Sequence, residues 1–217
     1  MYIPDHFAMA PADIERYVKT MRSGVLVTVD PASGLPQATL LPWAFQADPD
    51  RLTTHVARVN PQWRHQGPAL ICLVLHHGAV AAQWQERFAV GQAAPGLDYE
   101  AINIRGQLSA SDQPEAVLES WQAMLEGHRT GLGLSDMDAD WLRRQARATV
   151  ALALRIESVE AKSKLSQNRS LTDIDTISAG LEQTCPALSD RIREVSRPWA
   201  ERRQAAVDQA RRQAAGR

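Results

Sequence analysis

Cysteine is scarce. Cys72 and Cys185 are the only two in 217 residues and lie far apart, which fits a reduced cytoplasmic protein better than a disulfide scaffold. Cys72 sits in an apolar run and reads as a small core residue. No Cys/His set has zinc-site spacing, so no metal is expected. His76 and His77 are adjacent, and neighbouring strand residues point to opposite faces, which excludes joint chelation; a turn before Gly78 is their expected role, with one axial haem ligand as the alternative. No apolar run approaches the ~20 residues that cross a bilayer, so no membrane span is expected. The opening Met1-Tyr2-Ile3-Pro4-Asp5 lacks a basic segment leading into an apolar one, and no signal peptide is expected. A formal net charge of −1 gives no general attraction to nucleic acid or anionic lipid. There is no internal repeat.

The sequence does have ordinary globular composition, 44% hydrophobic and 23% charged, and enough length to bury a substantial core. Pro11, Asp13 and Glu15 open a helix with Ile14, Tyr17, Val18 and Met21 on its apolar face. Val25–Val29 and Gln37–Leu41 read as a hairpin around the turn residues Asp30 to Gly34. Asp48-Pro49-Asp50 is the next turn, and Arg51–Ala57 a third strand. Leu70–Leu75 and Ala79–Trp84 are expected as separate strands, with a turn at His77-Gly78, and Gln85–Glu100 as a loop. Ala101–Ser109 alternates as a strand with one wet face. Helices are expected over Pro114–His128 and around Trp141. Thr149–Ala161 is a long strand with a bulge or bend at Ser158-Val159. Helices are expected again over Leu171–Leu181 and Ala187–Gly216, the last interrupted near Pro198. Strands joined by short turns, without a helix between each pair, predict an antiparallel barrel rather than a doubly wound sheet. The tail from Arg191 holds eight arginines with acids interspersed and no helix-turn-helix, so DNA contact is possible but a solvated helical face is favoured.

The segment Lys162-Ser163-Lys164-Leu165-Ser166-Gln167-Asn168-Arg169 gathers two ammonium groups, a guanidinium, two hydroxyls and two carboxamides behind the longest strand. Such a set suits an anion attached to a flat polar body, although a solvated turn has the same composition. Lys164-Leu165-Ser166-Gln167-Asn168, Met1-Tyr2-Ile3-Pro4 and His55-Val56-Ala57-Arg58-Val59-Asn60-Pro61-Gln62-Trp63 together resemble the PaiB-like family of FMN-binding regulators. The motifs stand in the family's order and span residues 1 to about 170.

That resemblance implies a split β-barrel over 1–170, mainly β with peripheral helices, and a helical extension over 171–217. It implies FMN as cofactor, a homodimer with flavin sites near the subunit interface, and a role as a negative transcriptional regulator. In this reading Arg58 binds phosphate beside the helix start capped by Asn60, with His55 adjacent and Trp63 covering a ring or bracing the loop. Lys164, Ser166, Gln167 and Asn168 supply charge and amide groups for the ring edge. Thr28 lies on a strand that flanks the ring. The family's Ser-Pro-x-Trp-Tyr and Pro-Thr-Trp-Asn-Tyr elements are altered here: Ala82-Gln83-Trp84-Gln85 keeps the Trp, while Pro95-Gly96-Leu97-Asp98-Tyr99 has Leu97 where the family has Trp. Trp84 and Tyr99 remain as pocket-wall candidates, and weakened or lost flavin affinity is the corresponding alternative. The rival functions are a flavin-dependent oxidoreductase or haem-handling protein on the same fold, or a flavin-less descendant.

Overall fold

The computed structural model describes residues 1–47 and 50–215. The turn expected at Asp48-Pro49 and the helix end expected at Gly216 lie outside the described residues. Among the described residues there are seven strands: β1 (Ser23–Val29), β2 (Pro36–Pro42), β3 (Ala44–Ala47), β4 (Asp50–Ala57), β5 (Gly67–Val80), β6 (Gly96–Ser111) and β7 (Thr149–Lys164). Five α-helices accompany them: α1 (Pro11–Thr20), α2 (Pro114–Gly127), α3 (Ala139–Arg147), α4 (Leu171–Leu181) and α5 (Pro186–Ala215). The strands form one antiparallel sheet in the order β2-β1-β5-β6-β7-β4-β3, which does not close. This is the split-barrel architecture expected from the sequence. The chain divides into two compact units, Ala10–Leu73 with Ile102–Glu160, and Met1–Met9 with Val74–Ala101 and Ala161–Arg217.

In the larger unit, the β1–β2 hairpin turns where Asp30 accepts from the Ala32 amide at 2.9 Å and the Ser33 hydroxyl at 2.8 Å. Gly34 there takes φ +70°, a conformation that favours glycine. β1 pairs with β5 through Leu26↔Ile71, and β4 pairs with β7 from Arg51↔Arg155 to Ala57↔Thr149. Alternation along these strands buries Leu26, Leu52, Ile71, Ile102, Ile104, Leu152 and Leu154. Trp43 is fully buried with them, and its indole N–H donates to the Gly24 carbonyl at 3.1 Å. β3 was not expected. Pro42 ends β2, and only four residues then remain to pair with β4, too few to show a period.

The smaller unit packs α4 and α5 around Leu165, Ile174, Ile177, Leu181, Leu188 and Ile192, all at most 1% exposed. Three expectations are corrected here. β5 runs without a turn through His77-Gly78: a Cβ on Gly78 would stand 2.8 Å from Leu188 and 3.0 Å from Leu181, so this glycine marks a close approach of helix to strand. Ala82–Trp84 is accordingly a short 3-10 turn rather than the end of a second strand, and β6 starts at Gly96, inside the segment expected as loop. α5 passes through Pro198 uninterrupted. The carbonyl that Pro198 leaves without its helical donor belongs to Glu194, and both residues are exposed, so water can serve it. On the opposite face, Ser196 and Ala200 are buried and hold the helix down on either side of the proline.

β6 crosses β7 most closely at Gly106, where a Cβ would lie 2.0 Å from the Arg155 carbonyl oxygen. Backbone cannot move aside as a side chain can. Gly106→Ala is expected to cost on the order of 3 kcal/mol in urea unfolding, and Gly133→Ala, whose Cβ would meet nothing nearer than 3.5 Å, less than about 1 kcal/mol. Similar unfolding midpoints for the two variants would refute this account of the crossing.

Candidate functional site

The polar turn predicted from sequence closes the smaller unit, and its geometry follows from a few buried bonds. Ser166 has φ +64°, an uncommon value for a residue with a side chain. Gln167 is buried and stitches the turn to itself: its carbonyl oxygen accepts from the Leu165 amide at 2.8 Å and its amide donates to the Ser163 carbonyl. Leu165, the one apolar residue of the stretch, is fully buried in the α4–α5 core. α5 clamps the turn from outside, with Ser196 donating to the Leu165 carbonyl and Arg203 to the carbonyls of Gln167 and Arg169.

Two carboxylates on β6 organise the charges. Asp98 and Glu100 are two residues apart, hence on one face of the strand. Glu100 is fully buried and accepts from both Nε and Nη2 of Arg191, at 3.0 and 2.9 Å, and from the Ser163 hydroxyl at 2.8 Å. His76 approaches the same carboxylate at 3.9 Å. Asp98 accepts from the Ser166 hydroxyl at 2.6 Å and pairs with Lys164 at 3.4 Å. Burial pushes its pKa up, against the opposing pull of Ser166, Lys164 and Arg169.

Beneath the turn lies a cavity of about 180 Å³, lined by Phe7, Val80, Gln85, Ala94, Gly96, Asp98, Lys164, Ser166, Asn168 and Arg169. The Asn168 side also faces a wider recess of about 420 Å³, bounded by His6, Gln167, Trp199, Arg202 and Arg203. Tyr99 contributes to neither; with Tyr2 and Phe7 it rings the Lys162 ammonium, which lies 5.6–5.9 Å from the three centroids and donates to the Tyr2 carbonyl. Trp84 lies against Gly180 of α4, so close that any Cβ there would meet its ring.

The other predicted segment belongs to the larger unit. Asn60 caps the 3-10 turn Pro61–Arg64, accepting from the Gln62 amide at 3.0 Å. The Arg58 guanidinium is filled by protein acceptors: Nε donates to the Arg147 carbonyl at 2.8 Å and Nη1 to Asp112 at 3.0 Å. Trp63 braces the loop through its indole N–H to the Arg58 carbonyl at 3.0 Å. Thr28 is buried, accepting from the Gln62 amide at 3.1 Å and meeting His65 Nδ1 at 3.2 Å. His55 faces an apolar recess with Trp121, Met124, Leu125, Leu134, Met137 and Trp141, where burial lowers its pKa. Its Nδ1 has no partner among the described residues.

Sequence reasoning therefore located the turn and the capped loop, and within the turn Lys164, Ser166, Gln167 and Asn168 are brought together. It missed Asp98, Glu100, Gln85 and Arg191. The acids and Gln85 fell in the segment read as loop, and only the period-2 spacing of Asp98 and Glu100 hinted at a strand face. Among the described residues, no group of three or more His, Cys, Asp or Glu side chains is arranged to hold a metal ion.

Comparison with known proteins places the fold first. A conserved hypothetical protein of Mycobacterium tuberculosis superposes with a TM-score of 0.53 at 14% identity, over 76% of this chain and 91% of that one. The FAD and heme binding protein of Mycobacterium smegmatis superposes with 0.52 at 17% identity, over 74% of each chain. The sequence also matches the family described as "Putative FMN-binding domain" over residues 1–158. It is 32% identical over 183 residues to the Bacillus subtilis "Protease synthase and sporulation protein PAI 2", covering 80% of this chain and 85% of that protein. The chain belongs to this PaiB-like FMN-binding-domain family, as the three motifs implied, and FMN as the cofactor class stands with it. The donor set suits such a ligand best at the turn, where the Asn168 amide is exposed and Arg202 and Arg203 border the wider recess. Arg58 suits it only by exchanging Asp112 for the ligand. Their ion pair is 37% and 49% exposed, so the exchange costs little.

Asp98 gives a pH test. A carboxyl whose folded-state pKa is raised contributes stability that is present below its unfolded value and lost as pH rises through the folded one. Asp98→Asn removes that loss. The urea midpoint of the variant is therefore expected to gain on the parent as pH rises from about 4 upward, the ordinary aspartate range. A difference independent of pH would show that Asp98 is compensated in full by Lys164 and Ser166.

Proposed function

We propose that the chain is an FMN-binding protein with a regulatory role, acting as a negative regulator of transcription whose state depends on the flavin. The family match across residues 1–158 carries this reading. The Bacillus relative's name, "Protease synthase and sporulation protein PAI 2", ties that protein to sporulation and supports the regulatory part. When bound, FMN supplies a redox-active ring and a phosphate; the protein's part is to hold both. The proposed seat of the ring is the recess beside Gln167 and Asn168. Trp199 offers a half-exposed aromatic face there, Asn168 an amide that both donates and accepts, and Arg202 and Arg203 a positive rim. Ser166 and Gln167 act by fixing the turn, and Lys164 by its charge. The phosphate role of Arg58 is a separate element of the proposal and is tested alone. With a net charge of −1, DNA recognition has no help from bulk electrostatics, so any operator contact is local.

The proposal includes a homodimer in the cytoplasm. β2 is a sheet edge and carries the exposed Leu40, opposite Val25 of β1. An apolar strand edge left in water invites pairing, and a second copy would cover it.

Purified protein is expected to bind FMN with a shifted flavin absorption spectrum. Asn168→Ala combined with Trp199→Ala should weaken binding by roughly tenfold or more, and Arg58→Ala by about tenfold, each about the worth of a charge-assisted hydrogen bond or a stacking face. Absence of FMN uptake by the parent protein rejects the flavin reading; unchanged affinity in the double variant rejects the proposed seat alone. An oxidoreductase would instead turn over NAD(P)H with added FMN, and a gel-shift at physiological salt checks the regulatory role directly. Light scattering should give the mass of a dimer, and Leu40→Lys should shift it to that of a monomer.

A further inference from the structure

We infer that the smaller cavity beneath the 164–169 turn is a second ligand site, one that takes a short carboxylic acid bearing a hydroxyl or ammonium group. This goes beyond the flavin reading, because the space of about 180 Å³ falls below the roughly 300–1,000 Å³ of pockets for drug-sized ligands and excludes a tricyclic ring.

Two features of the lining define the ligand. The first is charge. Asp98 pairs with Lys164 at 3.4 Å and feels the charge of Arg169 as well, so one carboxylate serves two cations; the half-buried Arg169 guanidinium makes no hydrogen bond or close ion pair among the described residues. The lining therefore carries one surplus positive charge, which matches a ligand carboxylate, the group that the planar guanidinium suits in particular; where the ligand bears an ammonium group instead of a hydroxyl, Asp98 is there to meet it. The second is an acceptor without a donor. Gln85 is 4% exposed, and its amide nitrogen is fixed on the Ala94 carbonyl at 2.8 Å, which determines which end is oxygen. That oxygen is buried and has no hydrogen-bond partner among the described residues. Buried acceptors are nearly always satisfied, so a ligand donor is the missing group. Asp98 adds a second acceptor to the lining. Phe7 and Val80 give the lining an apolar part that suits a short alkyl chain.

Inorganic phosphate fits less well. It would set additional negative oxygens against Asp98 and the Gln85 oxygen, and one surplus positive charge does not balance a dianion. A plain alkanoate satisfies Arg169 and leaves Gln85 as it was.

The test is calorimetric titration of the full-length protein with L-lactate, L-alanine, propionate and inorganic phosphate. Lactate or alanine is expected to bind saturably, with propionate at least tenfold weaker, because a site built around a hydrogen bond rejects the analogue lacking the group. Gln85→Leu should bring propionate level with lactate while FMN uptake stays at the parent's value. Arg169→Gln, a half-exposed position that leaves the buried Gln85 untouched, should weaken all the acids by tenfold or more. Equal binding of propionate and lactate to the parent, or no saturable binding of any acid, overturns the inference. Phosphate binding that FMN displaces also overturns it: the cavity would then belong to the flavin's phosphate, and the flavin reading would stand without the second site.

Discussion

The smaller unit depends on one buried ion pair. Glu100 is fully buried and Arg191 9% exposed, and neither could be there alone: an isolated charge in such a place costs far more than any single contact returns. The guanidinium meets the carboxylate through two nitrogens, and Ser163 and His76 occupy the remaining approaches. The pair therefore ties β5, β6, β7 and α5 together at a point where none of them has a choice of register. Removing one partner would leave the other uncompensated, a loss of about 3–5 kcal/mol. Replacement by a matched apolar pair need cost nothing, so the pair is better understood as fixing where α5 lies than as a source of stability.

Asp98 stands two residues away on the same face and is treated differently. Its partner Lys164 is a third exposed, its pKa is raised by burial, and it opens on a cavity rather than a packed wall. Two acids on one strand thus have separate fates. One is neutralised by a fixed fork of donors and is structural. The other is left partly uncompensated where a ligand can reach it, which is the usual mark of a functional group. The surplus of positive charge arises there too: Lys164 and Arg169 share the one carboxylate of Asp98, while Arg203 is held on the carbonyls of Gln167 and Arg169.

Much of this is legible in the sequence. Val25–Val29, Arg51–Ala57 and Thr149–Ala161 announce themselves by apolar and β-branched runs, and α4 was read to the residue. The Asn60-Pro61 start carries its own chemistry, as does the polar turn. The misreadings have a common cause, which is that contact between distant elements overrides a local signal. Gly78 looks like a turn until α5 is seen pressing on it. Pro198 looks like a break until its vacant carbonyl proves to be on the wet face. α5 reads as a solvated face because its arginines dominate the tail, whereas the residues that dock it are the small Ser189, Ser196 and Ala200 with Leu188 and Ile192. No periodicity argument based on large side chains finds serines that are buried because a carbonyl lies opposite. The family motifs located the polar turn; they said nothing of the acids on β6 that set its charge.

The regulatory reading proposed above requires a ligand site joined to an element that can report occupancy, and within the smaller unit α5 is the element so placed. The turn touches the helix through backbone carbonyls: Leu165 receives Ser196, and Gln167 and Arg169 receive Arg203. These acceptors move with the turn, so a ligand that draws on Asn168 or Arg169 bears directly on the hydrogen bonds that hold the middle of α5. Upstream, the helix is fixed by Arg191 and the apolar cluster. Beyond Arg203 its side chains are almost all exposed, and nothing in the unit's core anchors them. The site thus lies at the boundary between the clamped and the solvent-facing half of one continuous helix. A small change at the turn has its leverage there, where the cost of altering the helix's hold is two or three hydrogen bonds rather than a core.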